Sequence, residues 1–350
     1  MVSSPRPRPW LVRLPFYYGW VIVAVGFIAS AFSIGLTWTA GLLAVPMAAE
    51  LEWSGSAFFF AVSLRGWLGI VFTPIMGPYL DRPRGPRVLV LIGGLVNAVG
   101  VLLIPFVDSA WQFVVLFGVL GGIAQAAQTG ISAAIVPKWF VRQRGMAVAV
   151  STMGGGLTAV FLPPVVGVMT GASGWRSIWL VIGLLALVFG TLSALLLYRE
   201  PEDLGLAPDG RTPGSERGVT PAGSIAEERS FTRTEALHTS VFWVLLVGIA
   251  VGSLANNGIP AMLAPIFVDR GFPFDVSAHS LAWYGVASTI TKFAWGWAAN
   301  RFSVRAVLLI LTFFGALALP SVLIFPLVGP GLYAFLIGVY IGAYFFLSQM

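Results

Sequence analysis

The feature that most constrains this chain is a rhythm. Apolar stretches of about twenty residues recur along it, separated by short charged segments. A helix rises ~1.5 Å per residue, so each stretch matches a hydrocarbon core about 30 Å thick. The stretches fall at 18–45, 56–79, 88–107, 111–136, 146–170, 178–198, 240–267, 280–298, 304–327 and 331–349. Backbone polar groups find no water in hydrocarbon, so a span of this kind must satisfy its own hydrogen bonds as a helix. Only 10% of the 350 residues are charged against 57% apolar, too little charge to clothe a soluble domain. The expected fold is an all-α membrane protein in two helical bundles. Six helices lie within 1–198, a linker covers 199–238, and a C-terminal bundle of four helices covers 239–350.

The placement of basic residues orients the chain. Arg6, Arg8 and Arg13 precede the first span, Arg82, Arg84 and Arg87 follow the second, and Lys138, Arg142 and Arg144 follow the fourth. Five more arginines lie in the linker, and Arg301 and Arg305 follow the eighth span. The other set of loops holds Arg176 and Arg270 with Glu50, Glu52, Asp108, Asp269 and Asp275. Positive charge gathers on the cytoplasmic side, so the expectation is a multi-pass protein of the cytoplasmic membrane with its N-terminus inside. The net charge of +6 then reflects topology and contact with anionic lipid, not nucleic acid. The first apolar run is too long for a signal-peptide core and is read as an uncleaved helix. The linker carries eight acids, five arginines and many Pro and Gly residues, and is read as a tether that cannot bury enough apolar surface to fold alone.

One pattern occurs twice. Gly77, Asp81 and Arg82 follow the second span, and Gly296, Asn300 and Arg301 follow the eighth. Each is a glycine, three residues, an acid or amide, then arginine, six helices apart. Small residues at a helix end allow close approach, and a carboxylate there can hold a neighbouring helix end. The repeat resembles the loop motif of the major facilitator superfamily, with one extra residue before Gly85 and an amide in the second copy. Within that superfamily the chain is similar to the monocarboxylate transporter and oxalate/formate antiporter group. The resemblance rests on Phe16-Tyr17-Tyr18-Gly19-Trp20, Leu51-Glu52-Trp53-Ser54, the run Trp139 to Ala147 that contains Phe140, Arg142 and Arg144, Gly174-Trp175-Arg176, and Gly205 to Gly210. It implies a two-bundle carrier working by alternating access, with the loop motifs governing conformational exchange. Twelve helices are usual in that superfamily and ten are counted here, so the chain is read as a fragment or a truncated product.

Ionisable residues inside a membrane are costly and are functional candidates. Two qualify, Arg65 and Lys292, and both are cations, which points to an anionic substrate. Lys292 lies four residues before Gly296, roughly 6 Å along a helix, so its alternative is to snorkel to the interface. The resemblance implies that a cation at this offset in the eighth helix binds the carboxylate. Lysine keeps the charge but not the bidentate fork of arginine. Further pocket candidates are Asn256 and Asn257, which interrupt the seventh span, Gln125 and Gln128 on the fourth, and the aromatic residues Trp38 and Tyr340. The fifth span's Gly154-Gly155-Gly156 reads as a close-packing segment. Asp269, just beyond the seventh span, is the candidate for proton coupling, with a solvated loop acid as its alternative.

Enzyme readings fail on inventory. There is no cysteine, the two histidines are His238 and His279, and no Gly-Lys-Ser/Thr phosphate loop occurs. The expected function is secondary transport of a small organic anion, coupled to a proton or counter-anion, by a monomer without cofactors. The alternatives are a transporter-like membrane receptor or a product that does not transport.

Overall fold

The structure, a computed structural model, describes residues 15–210, 235, 238–240, 242–243, 259–260, 262–299 and 329–339. Among these residues the chain is helical, with no strand. α1 covers residues 19–51 and joins Gly19–Ser30 to Leu36–Leu51 through the π-helical Ala31–Gly35. α2 is Gly55–Leu80 and α3 is Gly85–Phe106. α4 covers residues 110–139, with π-helical segments at Val114–Leu120 and Ile131–Ile135 on either side of Gly121–Gly130. α5 is Arg144–Thr170 and α6 is Ser173–Leu196. α7 covers residues 262–269, α8 is Phe274–Ala299 and α9 is Gly329–Val339.

Five of these helices, α2, α3, α5, α6 and the first nineteen residues of α4, are long and apolar enough to cross a membrane. Hydropathy locates them but misses their ends. α1 continues to Leu51 past Pro46, α6 begins at Ser173 and α8 at Phe274. The backbone goes on bonding to itself where the side chains turn polar, so the helix outruns its apolar part. Local signals set the boundaries that are sharp. Pro86 starts α3, where its missing N–H is no loss. A capping box between Ser109 and Gln112 starts α4. Gly174, at φ +74°, turns α5 into α6, a conformation that glycine adopts without Cβ strain.

Large apolar side chains remain exposed on the outer faces, among them Val71 and Ile75 on α2, Phe161 and Val168 on α5, and Leu184 and Val188 on α6. Such a surface suits lipid, not water. Inside, one end of the first six helices is built on stacked aromatic residues, Phe58, Phe113 and Phe117, with Trp179 edge-on. The other end, which carries the arginines, packs Ile22, Val90, Ile135, Trp139 and Phe140. A third core joins α7, α8 and α9 through Phe267, Tyr284 and Tyr333.

Residues 199–210 depart from the tether reading. Leu204 is 1% exposed and belongs to the core at the arginine-rich end, with Leu206 packed beside it. The apolar pair hidden in a Pro/Gly-rich segment is what composition alone conceals.

Candidate functional site

α5 is where the two parts of the chain meet. On one side Gly154 lies against α1, where a Cβ would fall 1.9 Å from the Phe27 carbonyl oxygen. On the other, Gly156 lies against α8, where a Cβ would fall 2.4 Å from Thr289 Oγ1 and 3.0 Å from Ser288 Oγ. The glycine run is a close-packing segment that lets three helices touch at one level. The α5–α8 seam runs from Gly167 and Ala278 to Thr152 and Lys292.

Lys292 closes that seam. Its side chain is 0% exposed, and Nζ donates to the Thr152 carbonyl oxygen at 3.0 Å. The Ser30 hydroxyl of α1 donates to the same oxygen at 3.0 Å and accepts from the Gly155 N–H at 3.1 Å. The ammonium therefore points into the α1–α5–α8 junction and does not snorkel outward. One turn earlier on α8, Ser288 Oγ and Thr289 Oγ1 are buried without a hydrogen-bond partner among the described residues. A buried hydroxyl in that state carries an unmet desolvation cost. Sequence reading missed Ser30, Thr152, Ser288 and Thr289, because hydroxyls are common in membrane helices and the key acceptor is a main-chain carbonyl.

Arg65 belongs to a second polar cluster, between α2, α3 and α4. It is 1% exposed. Nε donates to Gln125 Oε1 at 3.0 Å and Nη2 to Asn97 Oδ1 at 3.4 Å, and Cζ sits 4.8 Å over the Phe117 ring. Nη1 has no hydrogen-bond partner among the described residues. Gly121 makes room for it, since a Cβ there would lie 2.2 Å from Nη1. Gln125 thus holds α2 to α4. Gln128 is buried one turn on and lines a narrow space with Asn97 and Ser193. Asn97, a lone amide in an apolar helix, was missed. π-helical segments often mark functional positions, and both α1 near Ser30 and α4 around Gln125 carry them. No hydrogen bond among the described residues joins the Arg65 cluster to the Lys292 cluster.

A separate cavity of about 530 Å³ lies between α1, α5 and α6, lined by residues such as Phe32, Leu36, Phe161 and Met169. Its one hydroxyl, Thr158 Oγ1, is spent on the Gly154 carbonyl at 2.9 Å. Such walls offer an anion nothing, so size does not mark the site here.

The loop-motif residues sit at the arginine-rich end. Gly77 is in open space, with nothing within 4 Å of an added Cβ. Asp81 lies 3.3 Å from Lys138 at the end of α4, and its carbonyl accepts from Arg199. Arg82 stacks over Tyr79 at 4.6 Å. Phe140 is buried against Tyr17 and Trp20, while Arg142 and Arg144 are exposed at the entry to α5. At the opposite end, Trp175 and Arg176 both bond the Glu50 carboxylate, and Arg176 also reaches the Pro105 carbonyl at 3.0 Å. The segments that carry the family resemblance therefore hold helix ends together.

Asp269 is exposed at the far end of the α7–α8 pair. Lys292 lies eighteen residues into α8 from Phe274, roughly 27 Å along the axis, so the structure does not bring the two together. Trp38 and Gly296 have described backbone only, within α1 and α8. Asn256, Asn257, Asn300, Arg301 and Tyr340 lie outside the described residues.

Comparison with known proteins bears on the chain as a whole. The family model for the Major Facilitator Superfamily matches residues 23–350. Monocarboxylate transporter 11 of Mus musculus is 26% identical over 288 residues, which are 81% of this chain and 60% of that protein. Monocarboxylate transporter 12-B of Danio rerio is 24% identical over 299 residues, covering 81% and 62%. The chain spans about three-fifths of the length of these relatives. A crystal structure of a bacterial homolog to the human lysosomal transporter Spinster, inward-facing and unoccupied, shares the fold with a TM-score of 0.58 at 16% identity, covering 95% of this chain and 74% of that one.

Proposed function

From the chain's membership in the major facilitator superfamily, a family of multi-pass membrane transporters and not of enzymes, we propose that it carries a small organic anion of the monocarboxylate class by alternating access. The observation that carries this reading is Lys292, an ammonium 0% exposed at the junction of α1, α5 and α8. Holding a cation at that depth is expensive, and a ligand carboxylate compensates the cost. The Ser288 and Thr289 hydroxyls beside it supply further donors once the seam loosens. The matched relatives are named as monocarboxylate transporters, which supports the same substrate class.

In this reading the arginine-rich end is cytoplasmic, by the distribution of basic residues. Lys292 exchanges the Thr152 carbonyl for substrate as the halves rock apart at α5–α8. Arg65 keeps the α2–α3–α4 cluster in shape and does not share the first contact with substrate. Uptake of a panel of labelled carboxylates into vesicles tests the proposal. Saturable uptake of a monocarboxylate is expected. Saturable binding without uptake would instead identify a receptor.

A further inference from the structure

Three segments far apart in sequence converge at the arginine-rich end. The Asp209 carboxylate accepts the main-chain N–H groups of Val141 (3.2 Å) and Arg142 (3.1 Å), the residues that connect α4 to α5. Tyr17 Oη, ahead of α1, lies 3.0 Å from the Trp139 carbonyl and 3.2 Å from that of Ala207, so its one proton is shared between them. Burial, with Asp209 and Glu202 nearby, raises the Tyr17 phenol above its ordinary value, so it stays a donor. Arg199 reaches back to the Asp81 carbonyl and pairs with Glu200. Leu204 fills the core beneath.

The backbone is shaped for this contact. Asp209 and Gly210 both adopt positive φ, +58° and +70°, which directs the carboxylate at the loop. A Cβ on Gly210 would fall 3.0 Å from the Tyr17 ring. A passive tether leaving the bundle has no cause to hold an aspartate in a left-handed conformation or to bury a leucine.

We infer that residues 199–210 are a clip that fixes the α4–α5 connection against the start of α1. By locking that turn it makes the arginine-rich ends of α1, α4 and α5 move as one body, and the chain leading to the second half departs from the clip. The clip thereby fixes the main chain from which the exposed Arg142 and Arg144 side chains project.

Amide hydrogen exchange on the full chain in lipid nanodiscs tests this, read by mass spectrometry on peptides covering 139–145. It depends on neither uptake nor anion binding. In the unaltered chain the Val141 and Arg142 amides should be protected. Asp209→Ala should speed their exchange about tenfold or more, the factor for losing a charge-assisted hydrogen bond. Asp209→Asn, which tolerates positive φ but offers one acceptor oxygen, should give a smaller rise. Leu204→Ala should also release these amides if the segment docks as a unit, and it carries the test with Asp209→Asn if Asp209→Ala does not fold. Unchanged exchange in a folded Asp209 variant would overturn the clip, as would an effect confined to Asp209 with none from Leu204→Ala.

Discussion

Arg65 and Lys292 stand out in the sequence because a charge inside an apolar run is rare and costly. What each charge does depends on neighbours that a sequence hides. Lys292 is bonded to a main-chain carbonyl, which every residue possesses, and the choice of Thr152 follows only from how α5 and α8 pack. Arg65 is held by Gln125, a sequence candidate, and by Asn97, which was not. The pairing of Arg65 with Gly121 gives a direct test. Gly121→Ala puts a methyl group against Nη1 and should destabilise the protein by about 1–3 kcal/mol, the usual range for overpacking. Arg65→Met frees the space, so the double variant should cost less than the sum of the two single ones. Thermal unfolding in detergent measures all three, and strict additivity would place Nη1 elsewhere.

Among the elements, the spans were legible because length and hydropathy are properties of local sequence. The π-helical segments in α1 and α4 were not, since no residue pattern distinguishes Ala31–Gly35 or Ile131–Ile135 from ordinary helix. Nor was the α5–α8 seam, although its glycines were read as close-packing. The seam makes a prediction that the absence of cysteine renders clean. A Cβ on Gly167 would lie 3.7 Å from Ala278 Cβ, within the range a disulfide needs. Gly167→Cys with Ala278→Cys should cross-link readily on oxidation and join α5 to α8. A mobility shift after cleavage within residues 211–234 reads it out, and failure to cross-link would contradict the seam. At the arginine-rich end, the Lys138–Asp81 pair is exposed and contributes at most about 1 kcal/mol. Asp81→Asn and Arg82→Ala should therefore leave equilibrium anion binding near normal while slowing uptake. A changed binding constant with an unchanged rate would refute that division of roles.

At the scale of the whole molecule, the sequence conveyed an all-helical membrane protein and its family through segments at helix ends, whereas the proposed site lies inside the helices among common residue types. Glu50 with Arg176, Asp209 with the α4–α5 connection, and Tyr17 with Trp139 are fastenings within the first six helices, and in the proposed reading the two halves part around a ligand at the α5–α8 seam. The decisive property is whether the Lys292 ammonium holds an anion there. Equilibrium binding of small carboxylates to the purified chain and to Lys292→Gln, by calorimetry with thermal unfolding alongside, asks this most directly. The predicted result is at least a tenfold loss of affinity, about 1.4 kcal/mol, with the unfolding transition showing that the variant is folded. Unchanged affinity in a folded Lys292→Gln protein would contradict it.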